Sequence, residues 1–191
     1  VQMSMDTSQA HSLTAFRWFP IDRDLSYTDV VRWMFDCLYE ENLECDVVDA
    51  AALDTARYDL IVTPALYSAG EELIARLRDF TAKGGVLVSS FKSFVADRHL
   101  TVYHDRAPHG LTECFGMSYN QYSDPGKTTL KGQPVRYLME LLKPEKAVSL
   151  ADYEHKYWGL YSGITRNDWG KGKAYYVGCY TETVSYTHLT L

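Results

Sequence analysis

The sequence predicts an α/β fold, doubly wound on a mostly parallel sheet, with a β-rich C-terminal part. Two observations predict it. Over the first two-fifths of the chain, strand and helix patterns alternate with short connections, which implies right-handed crossovers and a parallel sheet. From about Thr101 onward, Pro- and Gly-dense turn signals separate short β-prone runs.

The elements follow in order. Ser26-Tyr27-Thr28-Asp29 is a capping-box pattern, and Val30, Trp33, Met34, Cys37 and Leu38 recur behind it at helical spacing until Asn42. ECDVVD, residues 44–49, reads as a short strand. DLIVTPA, residues 59–65, is a near-continuous apolar run, the mark of a strand covered on both faces. Ser68 and Glu71 match a second capping box. Leu73, Ile74, Leu77 and Phe80 supply its apolar stripe, and Lys83-Gly84-Gly85 supplies a helix stop. VLVSSF, residues 86–91, is a further buried strand. Ligand-facing loops in such sheets lie at the carboxyl ends of the strands, here Thr63–Ser68 and Ser89–Arg98. LTECFGM, residues 111–117, suits a short helix, whereas Val135–Leu142 fits helix and strand equally. Tyr161–Thr165 and Ala174–Cys179 flank a turn and read as a hairpin.

Composition narrows the function. With 46% hydrophobic residues and a net charge of -6, the chain is a globular domain without a basic face for nucleic acid or anionic lipid. No apolar run is long enough to span a bilayer, and VQMSMDTSQ lacks the features of a secretory leader. Cys37, Cys45, Cys114 and Cys179 are scattered without a CxxC spacing, so free thiols in a reducing, cytoplasmic setting are expected, without metal or cofactor. The 15 tyrosines suit a sugar-binding or subunit-contacting surface.

Four sites each have a plainer reading beside a functional one. Gly170-Lys171-Gly172-Lys173 resembles a phosphate loop in composition, but it lacks the GxxxxGK[ST] spacing and precedes the β-prone AYYVGCY, so a hairpin turn is expected. The strand end at Ser89, Ser90, Phe91 and Lys92 carries neither GxCxG nor GxSxG, so its serines are expected as backbone partners. His99, His104 and His109 lack one-face spacing and read as solvated loop residues. Glu154-His155 beside Tyr157-Trp158 stays open between a sugar or chain contact and a cover over the sheet edge; His155 and Trp158 are the contact candidates.

Three stretches carry a resemblance. They are SLTAFRWFPIDRDLSYTDVVRWMFDCLYEENLECDVVD, YDLIVTPALYSAGEELIARLRDFTAKGGVLVSSF and LADYEHKYWGLYSGITRNDWGKGKAYYVGCY. Together they resemble the middle, trimerisation domain of glycoside hydrolase family 42 β-galactosidases, over about residues 10–183. The resemblance implies a class I glutamine amidotransferase-like (flavodoxin-like) fold without its catalytic residues, holding three subunits together. It implies a parent whose separate (β/α)8 barrel binds the galactoside and carries both catalytic glutamates. There one carboxyl protonates the leaving oxygen while the other attacks the anomeric carbon from ~5 Å away. No catalytic residue carries over onto this chain. Trp18, Phe19, Tyr67 and Phe91 match positions where subunits would meet, while FKSFVADRH departs from the family's usual loop.

The resemblance assigns residues 1–183 to that domain. VSYTHLTL, residues 184–191, looks like a translated sequencing adaptor, a non-native tail expected to pack poorly. The alternative function is a free-standing amidotransferase-like enzyme or a small-ligand binding module in the strand-end crevice. A flavodoxin-like cofactor domain ranks below both for want of a phosphate loop.

Overall fold

Ser26 starts the first described helix by a reciprocal cap. Its hydroxyl oxygen accepts from the Asp29 amide at 3.3 Å, while the Asp29 carboxylate accepts from the Ser26 amide at 2.7 Å. The computed structural model describes Gln2–Ser4 and residues 25–181 of the chain. Within these, α1 (Tyr27–Glu40) buries Val30, Trp33, Met34, Cys37 and Leu38 along the predicted stripe. It ends as Asn42 turns to a φ of 56°.

Four parallel strands form the first half of the sheet: β1 (Gln2–Ser4), β2 (Asp46–Val48), β3 (Leu60–Thr63) and β4 (Val86–Ser90), in the order β4-β3-β1-β2. The pleat sends alternate side chains to opposite faces. Leu60, Val62 and Val88 meet α1, while Ile61 and Leu87 meet the core around α2 (Glu71–Ala82). The α2 stripe of Leu73, Ile74, Leu77 and Phe80 is buried as predicted. Its cap is not. Gly70 is the N-cap, with no side-chain bond, because Ser68 is drawn into a bridge with Ala96 and donates its hydroxyl to the Asp97 carbonyl at 2.9 Å.

The second half departs from the predicted fold class. After α3 (Thr112–Phe115) come β5 (Met117–Ser118), β6 (Tyr122–Ser123), β7 (Thr129–Leu130), β8 (Gln133–Glu140) and β9 (Lys143–Pro144). β10 (Val148–Glu154), β11 (Ser162–Trp169), β12 (Gly172–Val177) and β13 (Cys179–Thr181) complete the chain as described. All but β5 and β9 extend the same sheet, in the order β13-β8-β7-β10-β11-β12-β4-β3-β1-β2 with β6 on β8. Only β12 joins it parallel, against β4; the remaining added pairs are antiparallel.

The expected doubly wound, mostly parallel, flavodoxin-like sheet is therefore corrected to a β-rich mixed sheet with three α-helices among the described residues. The reason is local. The turn-dense segments close tight antiparallel connections, and such pairs need no crossover helix. Val135–Leu142 was ambiguous because β8 carries a bulge. Tyr137 has a φ of 64° and the register against β13 slips there, which breaks the alternation and buries Leu138, Met139 and Glu140 in succession.

Gly170 and Lys171 are the two-residue turn between β11 and β12. The Lys171 amide donates to the Ala82 carbonyl at 3.0 Å, so the turn satisfies an end group of α2. A Cβ on Gly172 would strike the Thr81 and Gly85 carbonyl oxygens, so this position requires glycine. Among the described residues no helix is long and apolar enough to cross a membrane.

Candidate functional site

The carboxyl ends of β3 and β4, where such folds place ligands, hold a sealed polar knot. Ala65, Lys92 and Phe94 all take left-handed backbone conformations there, with φ of 41°, 60° and 59°. The two serines at the end of β4 act as backbone and hydroxyl partners. Ser89 bonds the Thr63 hydroxyl, and Ser90 accepts from the Ala65 amide at 2.7 Å. Lys92 occupies the tight turn itself.

Glu140 reaches this turn from β8. It is fully buried, and its carboxylate accepts from the Lys92 amide at 2.8 Å and from the Tyr176 hydroxyl at 3.0 Å. The Tyr119 hydroxyl lies 3.4 Å from that of Tyr176 and extends the chain of polar groups. Burial pushes the Glu140 carboxyl up to about 7, against the pull of Lys92 and its hydrogen-bond donors. Burial likewise lowers the Lys92 amine to about 8, against the attraction of Glu140. The Lys92 Nζ lies 3.7 Å from the centroid of the Tyr122 ring, which covers it. Glu140, Ser89, Ser90 and Tyr176 are fully buried, so the arrangement joins β4, β8 and β12.

Sequence reasoning passed over this knot. Its signal was present as a lone acid in the apolar run Leu138-Met139-Glu140-Leu141-Leu142. Charges are seldom fully buried unless paired.

The predicted contact residues divide. Trp18 and Phe19 lie outside the described residues, as do residues 184–191. Tyr67 is half-buried beside the knot. Phe91 is fully buried, 6.1 Å from the Trp33 ring, so it fills the core beneath α1 and presents no surface. His155 and Trp158 stack at 6.3 Å in the loop between β10 and β11, and the His155 Nδ1 accepts from the Tyr157 amide at 3.2 Å. That loop pushes outward: Tyr157 is 67% exposed and Leu160 92%. Glu154 is tied to its own sheet by the Thr129 hydroxyl at 2.6 Å and by the Gly132 amide, which hold its carboxyl below the ordinary value.

The histidines also divide. His99 and His104 are exposed, as expected, but His109 is not a solvated loop residue. Its Nδ1 meets Asp105 and its Nε2 meets Glu71, each at 2.7 Å, and its ring stacks on Tyr103 at 3.5 Å. Burial works against the charged ring, yet the two carboxylates outweigh it and hold the His109 pKa above its ordinary value. Among the described residues no group of three or more His, Cys, Asp and Glu could hold a metal ion. Cys37, Cys114 and Cys179 are buried thiols and Cys45 a half-buried one, each outside any disulfide.

Comparison with known proteins adds the context. The family model described as the β-galactosidase trimerisation domain matches residues 7–190. β-Galactosidase LacA of Lactobacillus acidophilus is 28% identical over 180 residues, covering 88% of this chain and 26% of that protein. β-Galactosidase GalA of Bacillus licheniformis is 30% identical over 159 residues, covering 80% and 24%. Among solved structures, Gan42B, a GH42 β-galactosidase from G. stearothermophilus, superposes with a TM-score of 0.85 at 26% identity, over 98% of this chain and 28% of that one. The β-galactosidase of Rahnella sp. R3 shares the fold with a TM-score of 0.86 at 24% identity, over 98% and 29%. The chain thus spans about a quarter of the length of the curated relatives it matches.

Proposed function

Because this chain belongs to the β-galactosidase trimerisation domain family, we propose that it is the non-catalytic part of a family 42 enzyme that holds three subunits together. In this reading the parent hydrolyses terminal β-D-galactosides in carbohydrate catabolism in the cytoplasm. A separate barrel binds the galactoside and supplies both catalytic carboxylates. The observation that carries the proposal is the family match over residues 7–190 in a chain that spans about a quarter of whole β-galactosidases.

The geometry supports a non-catalytic role. Glu140, the one fully buried carboxylate among the described residues, accepts from the Lys92 amide and the Tyr176 hydroxyl. The half-buried Tyr67 and the loop bearing His155 and Trp158 remain the proposed contact residues, with Trp18 and Phe19. Four cysteines outside any disulfide support a reducing compartment.

Sedimentation velocity over a wide concentration range, with a chromogenic galactoside assay on the same sample, tests this. The expected result is a reversible trimer that turns over no galactoside. A strict monomer, or galactoside hydrolysis by the chain itself, would contradict it.

A further inference from the structure

Three subunits in a closed ring cannot use one patch twice. Each must join a patch on one subunit to a different patch on the next. The fold displays two such patches with opposite chemistry.

The first is the loop between β10 and β11. Leu160 and Tyr157 stand 92% and 67% exposed on the base that His155 and Trp158 form. Two lysines stand beside them, the Lys156 Nζ 5.4 Å from the Tyr157 ring and the Lys143 Nζ 5.9 Å from the Tyr161 ring, while the neighbouring acids Asp152 and Glu154 are engaged within their own sheet by Ser149, Ser162, Thr129 and the Gly132 amide.

The second is the last turn of α1. Tyr39 is 73% exposed and stacks on Phe35 at 6.4 Å with the rings 14° apart. Its exposed neighbours Asp36, Glu40 and Glu41 are all acidic, and the turn contains no basic residue. That placement opposes the helix dipole, whose carboxyl-terminal end favours cations. A partner that brings lysines beside an apolar tip would relieve it.

The two patches also lie toward opposite ends of the strands. The loop enters β11 at the end of the sheet where β12 and the parallel strands finish, whereas α1 leads into the beginning of β2. Self-pairing of either patch would set like charges together.

We propose that the Tyr157–Leu160 loop of one copy docks head-to-tail on the Tyr39 turn of a second copy of this chain. This rests on the trimerisation reading and assigns its two contact surfaces.

The test uses Leu160→Asp and Tyr39→Asp in the 191-residue chain, with Lys156→Glu as a milder third variant. Native mass spectrometry reads assembly, and circular dichroism verifies folding. The expected result is a trimeric parent chain, with monomers from both aspartate variants and association weakened by about thirtyfold or more. Lys156→Glu weakens it less. An equimolar mixture of the two aspartate variants retains one intact junction and gives a 1:1 heterodimer, never a trimer.

If the unmodified chain is trimeric and both variants stay trimeric, this assignment falls while the trimerisation reading stands. Monomeric variants that give no heterodimer overturn the pairing of these two patches. A monomeric unmodified chain at every concentration overturns both.

Discussion

The parallel half and the antiparallel half of the sheet bury themselves in different ways. In the first, β3 is buried at every position, with α1 on one face and α2 on the other. In the second, β10 alternates from Ala151 inward to Asp152 outward and Tyr153 inward, over a smaller cluster that includes Leu130, Met139 and Cys179. A strand covered twice has nothing to spare for contact. A strand covered once, and the loops it carries, can meet another chain. The knot of Glu140, Lys92 and Tyr176 lies where the halves join and ties the second to the first.

Four substitutions sharpen that contrast. Glu140→Ala strips the acceptor from the Lys92 amide and the Tyr176 hydroxyl, and is expected to cost about 3–5 kcal/mol in urea unfolding. Glu140→Gln keeps the shape and an acceptor oxygen, and is expected to cost about 1 kcal/mol. Equal losses from the two would mean that charge rather than hydrogen bonding holds the join. Gly172→Ala follows, with about 1–3 kcal/mol lost as the turn is forced off the end of α2. Ser26→Ala removes one side of the α1 cap, for about 1 kcal/mol. The same denaturation series checks both.

The remaining effects are those of pH. His109 has a raised folded pKa, so its contribution is whole below the unfolded value and fades as pH rises through the folded one. Glu140, raised to about 7, acts in the same sense, because the folded chain holds that proton more tightly. Lys92, lowered to about 8, acts in the opposite sense: stability recovers as pH rises above that value toward the ordinary lysine range. Together they predict a trough in the melting temperature between pH 7 and 8. His109→Gln and Glu140→Gln should each flatten its acid side. An unchanged profile in both variants would remove these groups from the account.

The sequence was most legible where period and cap agree. α1, β3, α2 and β4 lie in regular stretches, and the hairpin at Gly170-Lys171 was betrayed by the β-prone run behind it. Legibility failed where geometry came from afar. The bulge at Tyr137 erased the alternation that would have marked β8. Lys92 and Glu140 are 48 positions apart, so no local pattern could join them. Phe91 matches a family position where subunits would meet, but the turn at Lys92 swings it inward against Trp33. The outward loop at Tyr157 and Leu160 was visible only as aromatic richness around the expected pair His155 and Trp158.

Hydrogen exchange on the unmodified chain, at concentrations above and below assembly, most directly tests the claim that these residues hold subunits together by surface patches, with the strand-end knot as internal structure. The account predicts added protection on assembly at residues 36–41 and 155–161, and unchanged exchange at Lys92 and Glu140. Exchange that is identical at every concentration, or protection confined to the knot, would contradict it.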